Sequence, residues 1–146
     1  IGVSTAKGIC YGLNIPLIAI STLQAMAFSM QKKETAELYC PMLDARRMEV
    51  YSAFYNQKNE EIRSIQADVI NEMSYQSELE KKVIFFGDNI SKCEEIIKNK
   101  NAKFINNFYP SVEDIGPLIC KRFEEHVFED LAYFEPFYLK DFISRS

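Results

Sequence analysis

The segment Asp44-Ala45-Arg46-Arg47 places an acid beside two arginines, between two apolar, β-prone runs. Such a set could grip a phosphate group or serve a charged active site. A phosphate-binding hairpin usually needs glycines, so that backbone N–H groups can reach the oxygens, and this segment has none. Aspartate instead favours the first position of a type I turn, which leaves the arginines solvated. The pattern predicts a turn; partner contact through Asp44, Arg46 and Arg47, and catalysis, are the alternatives.

The remaining reactive side chains lack the spacings of known catalytic or metal sites. His126 is the only histidine, outside any HxxxH or HExxH pattern, and we expect it to be a solvated residue at a helix end. In the stretch 85–89, Asp88 or Asn89 is expected to cap a helix. The four cysteines contain no CxxC and are expected to be buried, reduced thiols: Cys10, Cys40, Cys93 and Cys120. We therefore predict no catalytic residue, no cofactor and no metal.

The first segment offers a surface for contact. Residues 1–13 are predicted to form a helix that ends at Asn14, before a proline. At about 100° per residue, one broad arc is bulky and is expected to lie on the protein's own domain: Val3, Ala6, Ile9, Cys10 and Leu13. The nearly opposite arc, here called the small-residue stripe, consists of Ser4, Gly8 and Gly12.

This stripe predicts close approach of another helix. Glycine inside a helix costs about 1 kcal/mol relative to alanine, so two of them suggest a contact that needs the space. Thr5 lies beside the stripe, and Lys7 and Tyr11 border it. The predicted partner-interface residues are Ser4, Thr5, Lys7, Gly8, Tyr11 and Gly12. A further part of the same chain is the alternative occupant of this face.

Length and composition bound the class of protein. With 146 residues and 47% apolar composition, the chain can form a proper core. The net charge of −4 argues against binding nucleic acid unaided. No apolar run approaches the roughly 20 residues of a membrane helix, and we expect a cytoplasmic protein. Since the first helix begins at Ile1 with no capping residue, we also expect a fragment.

The elements that would position these residues follow an α/β pattern. Residues 1–33 read as helix, strand (16–21) and helix, with a capping box at Ser21–Gln24. Residues 34–146 read as βββαβαβα: strands 37–43, 48–56 and 60–66, helix 71–81, strand 82–87, helix 89–99, strand 102–106 and helix 111–128. The first three strands are short-linked and antiparallel, so a mixed sheet flanked by helices is predicted.

Prolines and the tail modify this pattern. Pro41 is expected at a sheet edge or a bulge. Gly116-Pro117 is expected to kink or restart the last helix, which a second capping box opens at Ser111–Asp114. The aromatic stretch 131–142 is expected to fold onto the domain as a strap.

Three stretches carry a family resemblance. "IGVSTAKGICYGLNIPLIAISTLQAMA" (1–27) resembles the segment that follows the GPGSFTGLR-type motif of the TsaB (YeaZ) family of bacterial tRNA threonylcarbamoyladenosine biosynthesis proteins. "PMLDARRMEVYSAFY" (41–55) resembles that family's P-x-x-D-A-R-x-x-E-V-Y hairpin, and "EPFYLKD" (135–141) its ending. The resemblance implies an actin-like (ASKHA) fold of two RNase H-like lobes. Residues 1–33 would be a remnant of the first lobe, and residues 34–146 the second lobe.

The resemblance also implies a function. Family members act as non-catalytic scaffold or activator subunits that dimerise with a TsaD catalytic subunit, work with the ATPase TsaE, and meet tRNA only through that complex. A homodimer is an alternative pairing. Two other functions stay open from the residues: a sugar kinase-like ATPase of the same fold, which would require glycine-rich phosphate loops, and a glycoprotease-like peptidase.

Overall fold

A computed structural model describes residues 1–139, apart from the side chains of residues 113 and 114. The helices are α1 (Gly2–Leu13), α2 (Thr22–Gln31), α3 (Ser91–Ile96) and α4 (Val112–Glu124). The strands are β1 (Leu38–Asp44), β2 (Glu49–Asn56), β3 (Glu61–Val69), β4 (Val83–Gly87) and β5 (Ala102–Asn106).

The described residues cluster into two compact units. One contains residues 1–20 and the described residues from Gly116 onward, and the other contains residues 21–115. Helix α2 therefore groups with the sheet. The lobe boundary predicted after residue 33 does not coincide with this division and stays a prediction.

The unit of residues 21–115 is built on one five-stranded sheet in the order β3-β2-β1-β4-β5. The strands β1, β2 and β3 are antiparallel neighbours, and β4 and β5 run parallel to β1. Short links between the first three strands allow the antiparallel pairing, whereas each parallel strand needs a longer crossover. The predicted mixed sheet is confirmed.

Both faces of this sheet are buried, as expected for strands whose successive side chains are apolar on the two sides. Helix α2 covers one face, in a cluster that includes Leu23, Met26, Met30, Tyr39, Tyr55 and Phe86. The other face carries α3 and the connection from β3 to β4, in a cluster that includes Phe54, Ile70, Tyr75, Leu79, Phe85, Ile90 and Cys93. The core therefore lies on both sides of β1 and β4.

Residues 71–81 do not form the predicted helix; they form turns and one short 3-10 helix at Glu78–Glu80. Asn71 Oδ1 accepts a hydrogen bond from the Met73 N–H at 2.8 Å, and Ser74 Oγ accepts one from the Asn71 N–H at 2.9 Å. These side-chain bonds satisfy backbone groups in a non-helical conformation. The following Tyr75, at φ 63°, lies in the sheet core.

The predicted strand at 16–21 does not join the sheet. Leu17 forms an isolated antiparallel bridge with Glu129, whose N–H donates to Leu17 O at 2.8 Å. A strand needs another backbone along its length to satisfy its N–H and C=O groups. Within the described residues this segment has such a neighbour at Leu17 alone.

Pro41 lies on an interior strand, so the predicted edge or bulge is wrong. Pairing of β1 with β4 runs from Leu38 to Met42 without interruption. Pairing with β2 lapses at Cys40 and Pro41 and resumes in the same register at Met42. Proline has no N–H to donate, which accounts for a local gap in the ladder.

The helix ends agree only in part with the predictions. Asn14 ends α1 in the left-handed conformation, at φ 52° and ψ 46°, as predicted. Ser21 precedes α2 without capping it, since its side chain bonds Tyr55 instead. Helix α4 continues through Pro117 without a restart. The capping box at Ser111–Asp114 involves side chains outside those described.

The tail is only partly within the described residues, because 140–142 lie beyond them. Up to residue 139, its aromatic residues Tyr133, Phe137 and Tyr138 are exposed. Phe134 is partly buried, so three of the four aromatic side chains in the described part of the predicted strap do not pack onto the protein. None of the described helices combines the length and apolarity that crossing a membrane would require.

Candidate functional site

The small-residue stripe of α1 is open. Ser4, Gly8 and Gly12 are exposed, and a Cβ atom added at either glycine would meet no heavy atom within 4 Å outside the helix's own backbone. Thr5 is also exposed, and its hydroxyl donates to Ile1 O at 3.2 Å within the helix. The face predicted for a neighbouring helix has room for one.

The bulky arc of the same helix is not buried as predicted. Cys10 is 8% exposed, but Ile9 is 54% and Leu13 67% exposed. Tyr11, next to the stripe, is 82% exposed. The prediction that the arc lies on the protein's own domain is wrong for Ile9 and Leu13, and α1 presents large apolar side chains beside its small ones.

Lys7 has intramolecular partners. Its Nζ donates to Ala132 O at 3.0 Å and to Phe134 O at 2.9 Å. Asp130 organises that acceptor loop, because its Oδ1 accepts from the N–H groups of Ala132 and Tyr133. Lys7 therefore fastens α1 to the tail, whereas the other predicted interface residues stay exposed.

Asp44 lies at the end of β1 and holds the charged hairpin together. One carboxyl oxygen accepts from the Arg46 N–H at 3.0 Å, as predicted for a turn aspartate, and pairs with Lys92 Nζ. The other accepts from Asn89 Nδ2 at 3.0 Å. The hydrogen bond from Lys92 is the main reason that the pKa of Asp44 lies below its ordinary value, and bonds from Arg46 and Asn89 act in the same direction.

The loop itself is not the predicted type I turn. Arg46 and Arg47 have φ values of 72° and 52°, in the left-handed region, and both are exposed. Lys92 Nζ also donates to Arg47 O at 2.7 Å and to Glu49 O at 3.2 Å. The sequence gives little sign of Lys92, because it is 45 residues from Arg47 along the chain.

Asp88 and Asn89, which follow β4, were predicted to cap the next helix but have other partners. Neither Asp88 nor Asn89 caps α3, which has Ile90 at its N-cap position. Asp88 accepts a hydrogen bond from the Tyr109 hydroxyl at 2.7 Å, and Asn89, at φ 55°, binds Asp44. Both side chains thus tie the carboxyl edge of the sheet together.

A polar cluster on β2 and β3 was missed by the sequence reasoning. Asp68 accepts from Ser52 Oγ at 2.5 Å, from the Tyr75 hydroxyl at 2.9 Å and from Arg63 Nη1 at 2.9 Å. The guanidinium of Arg63 lies over the rings of Phe54 and Tyr75, 5.6 and 5.5 Å from their centroids. A register shift between Ser52 and Phe54 brings Arg63 and Asp68 to one face, which simple alternation does not predict.

The protonation states in this cluster follow from its contacts. Burial would raise the pKa of Asp68, but hydrogen bonds from Arg63, Ser52 and Tyr75 outweigh it and lower that pKa. Burial raises the pKa of the Tyr75 hydroxyl and that of the neighbouring Cys40 thiol. Asp68 is thus charged and paired with Arg63, and Cys40 is a protonated core thiol. The cluster suits a structural role.

The other titratable candidates are His126, Cys93 and Cys120. His126 is exposed just beyond α4, at φ 56°, as predicted for a helix-end histidine. Burial raises the pKa of the Cys93 thiol to about 11. The prediction of buried thiols is wrong for Cys120, which is exposed. Among residues 1–139 other than 113 and 114, no three His, Cys, Asp or Glu side chains come together in a way that could hold a metal ion.

In comparisons with known proteins, one family model matches almost the whole chain. The model of the family described as TsaD, tRNA N6-adenosine threonylcarbamoyltransferase, matches residues 1–145. The chain is 27% identical to the tRNA threonylcarbamoyladenosine biosynthesis protein TsaB of Escherichia coli K12, over 97% of this chain and 64% of that protein. It is 29% identical to the tRNA threonylcarbamoyladenosine biosynthesis protein TsaB of Bacillus subtilis 168, over 68% of this chain and 44% of that protein. The chain therefore spans less than two thirds of the length of these relatives.

Solved structures agree on the fold. A Pseudomonas aeruginosa protein described as similar to peptidase YEAZ matches with a TM-score of 0.80 and 20% identity, covering 95% of this chain and 66% of that one. YeaZ from the same organism matches with a TM-score of 0.70 and 20% identity, covering 94% of this chain and 66% of that one. The predicted α/β fold of the actin-like, RNase H-like type is confirmed.

Proposed function

Because the chain belongs to the TsaD family of tRNA N6-adenosine threonylcarbamoyltransferases, and within it to the TsaB (YeaZ) proteins, we propose that it is an accessory subunit in threonylcarbamoyladenosine formation on tRNA. In this role it is a non-catalytic scaffold that pairs with a TsaD-like catalytic subunit. A TsaE-like ATPase joins the same complex, and tRNA is reached only through it. The complex works in the cytoplasm.

The observation that carries this proposal is the exposed face of α1. Gly8 and Gly12 leave open space for a helix backbone, and the large side chains of Ile9, Tyr11 and Leu13 surround that space. Small residues that permit close approach, bordered by exposed apolar groups, are what helix pairing requires. The interface of the proposal consists of Ser4, Thr5, Gly8, Tyr11 and Gly12, with Lys7 positioning the helix.

The net charge of the chain supports a role in which another subunit holds the tRNA. At a net −4, its own surface would repel RNA, so a partner is needed to hold the tRNA. The polar cluster at Asp68 has its groups paired with one another, as a structural network does.

Binding to a purified TsaD-like subunit tests the proposal. We expect Gly8→Leu and Gly12→Leu each to raise the dissociation constant at least about tenfold, since a bulky side chain fills the space that the partner helix needs. Calorimetry or surface plasmon resonance measures the constant.

Gly116→Leu is the matched control. Gly116 is also a helical glycine where an added Cβ atom meets nothing within 4 Å, but it lies in α4 and is not one of the proposed interface residues. Binding should be unaffected by this change. Undiminished binding by both stripe variants would remove α1 from the interface, and no binding by the wild-type chain would reject the pairing itself.

A further inference from the structure

The tip of the β1–β2 hairpin holds two arginines in a conformation that arginine disfavours. Arg46 and Arg47 are both in the left-handed region, which glycine and asparagine adopt far more readily. Two such residues in succession destabilise the loop relative to an asparagine or glycine pair. Strain of this kind persists in functional loops, and an observed outlier is a reason to look for a function.

The strained tip is also rigidly supported. Asp44 below it is bound by Lys92 and Asn89, and Lys92 also donates to the carbonyl groups of Arg47 and Glu49. Four contacts from one lysine and one asparagine thus fix the backbone from which the arginine side chains project. A fixed backbone lowers the entropy cost of binding through those side chains.

The guanidinium groups of Arg46 and Arg47 make no polar contact with the part of the chain that the structure describes. Among the described residues, the side chains of Arg46 and Arg47 have no hydrogen-bond or ion-pair partner, although the other arginines, Arg63 and Arg122, are both paired. The nearby cation, Lys92, is already bound to Asp44. The tip therefore presents two free guanidinium groups on a chain with a net charge of −4.

We propose that Arg46 and Arg47 bind adjacent carboxylate groups in an acidic segment of a protein partner. A guanidinium group pairs with a carboxylate through two parallel hydrogen bonds, so two arginines suit two acidic side chains. RNA is the less suitable ligand, because its affinity depends on many phosphate contacts and the rest of this acidic chain repels it. Arg46 and Arg47 are not residues of the small-residue stripe, and the inference does not depend on which protein pairs with α1.

Nuclear magnetic resonance with simple probes tests the inference. The isotope-labelled chain is titrated with a capped hexaglutamate peptide and, separately, with an RNA hexanucleotide at low ionic strength. We expect the peptide to shift the amide signals of residues 46–48. Arg46→Asn/Arg47→Asn removes both charges and favours the left-handed backbone, so it should weaken peptide binding about fivefold and also unfold at a higher temperature.

Two further variants sharpen the result. Arg46→Lys/Arg47→Lys keeps the charge without the planar fork and should bind less tightly than the wild-type chain. Lys81→Gln/Lys82→Gln removes two charges from another exposed adjacent pair and should leave the affinity unchanged. Peptide shifts located elsewhere, equal affinity in the asparagine variant, or tighter binding of RNA at the same amides would each overturn the proposal. No TsaD-like subunit is used, so this outcome is independent of the pairing through α1.

Discussion

Gly87 and Asp68 are residues whose surroundings leave little freedom for substitution. Gly87 pairs with Met42 across parallel strands, and a Cβ atom at this position would be 2.0 Å from the Met42 carbonyl oxygen. Asp68 receives its hydrogen bonds from three different side chains. In both cases a neighbour far along the chain sets the constraint, and so neither was evident from the local sequence.

Gly87→Ala is expected to lower the free energy of unfolding by about 2–3 kcal/mol, since backbone of the central strand must move to admit one methyl group. Urea denaturation of the two proteins measures the difference. Gly116→Ala serves as a control, because a Cβ atom there meets no heavy atom within 4 Å. A Gly87→Ala protein as stable as the wild type would show that β1 and β4 are not this close.

Asp68 should make stability depend on pH in the acid range. Its folded pKa is lowered from 3.8, so its contribution is present above that value and is lost as the pH falls through the lower folded pKa. We expect the free energy of unfolding to fall less steeply below about pH 4 in Asp68→Asn than in the wild type. Glu72→Gln changes an exposed acid and should leave the slope unaltered. Equal slopes in Asp68→Asn and wild type would contradict the network.

At the scale of secondary structure, the end of α1 and the side-chain bond of Asp44 agree with their sequence patterns, although the loop after Asp44 is not the predicted type I turn. Asn14 and the following proline end α1, and Asp44 accepts the turn bond that aspartate favours. The segment 71–81 behaves differently, because Asn71 and Ser74 bond to nearby backbone and Tyr75 enters the core. Local polar side chains and one buried ring together prevent a helix there.

Gly8→Ala and Gly12→Ala are each expected to raise the stability of α1 by about 1 kcal/mol, because alanine has the higher helix propensity and its methyl group meets nothing in this chain. Circular dichroism during thermal unfolding measures the change. The same variants should bind a TsaD-like subunit less tightly if the stripe lies against it. Lower stability in the isolated variants would mean that another part of the chain covers these glycines.

At the scale of the whole molecule, a large amount of apolar surface is exposed on the unit that contains α1. Side chains that are at least half exposed there include Ile9, Tyr11, Leu13, Phe123, Tyr133, Phe137 and Tyr138. Surfaces of this kind mark interaction sites or cause aggregation. The net charge of −4 opposes association between copies of the chain at neutral pH.

We expect the chain to self-associate most strongly near its isoelectric point of about 5.1, where the repulsion disappears. Light scattering across a series of pH values, at constant salt, measures the mean mass. Leu13→Ser should reduce the association at every pH, whereas Glu72→Gln should not. A monomer throughout the series would contradict both this expectation and a homodimer formed through the α1 face.

The sequence by itself determined the element types that depend on local chemistry. The antiparallel pairing of β1 and β2 across a short link, the Asn14 end of α1 and the bond from the Arg46 N–H to Asp44 are set by residues close together along the chain, and the family resemblance rests on the same stretches. These features were predicted because propensity, spacing and capping act over short distances.

Only the tertiary structure decided the features that depend on distant partners. Pro41 is interior because β4 pairs along its other side, and residues 16–21 are not a strand because Leu17 has a single bridge. Lys92 and Arg63 acquire their roles through contacts with Asp44 and Asp68. Pairing and charge contact depend on distance in space, and the order of residues along the chain does not fix that distance until the sheet has formed.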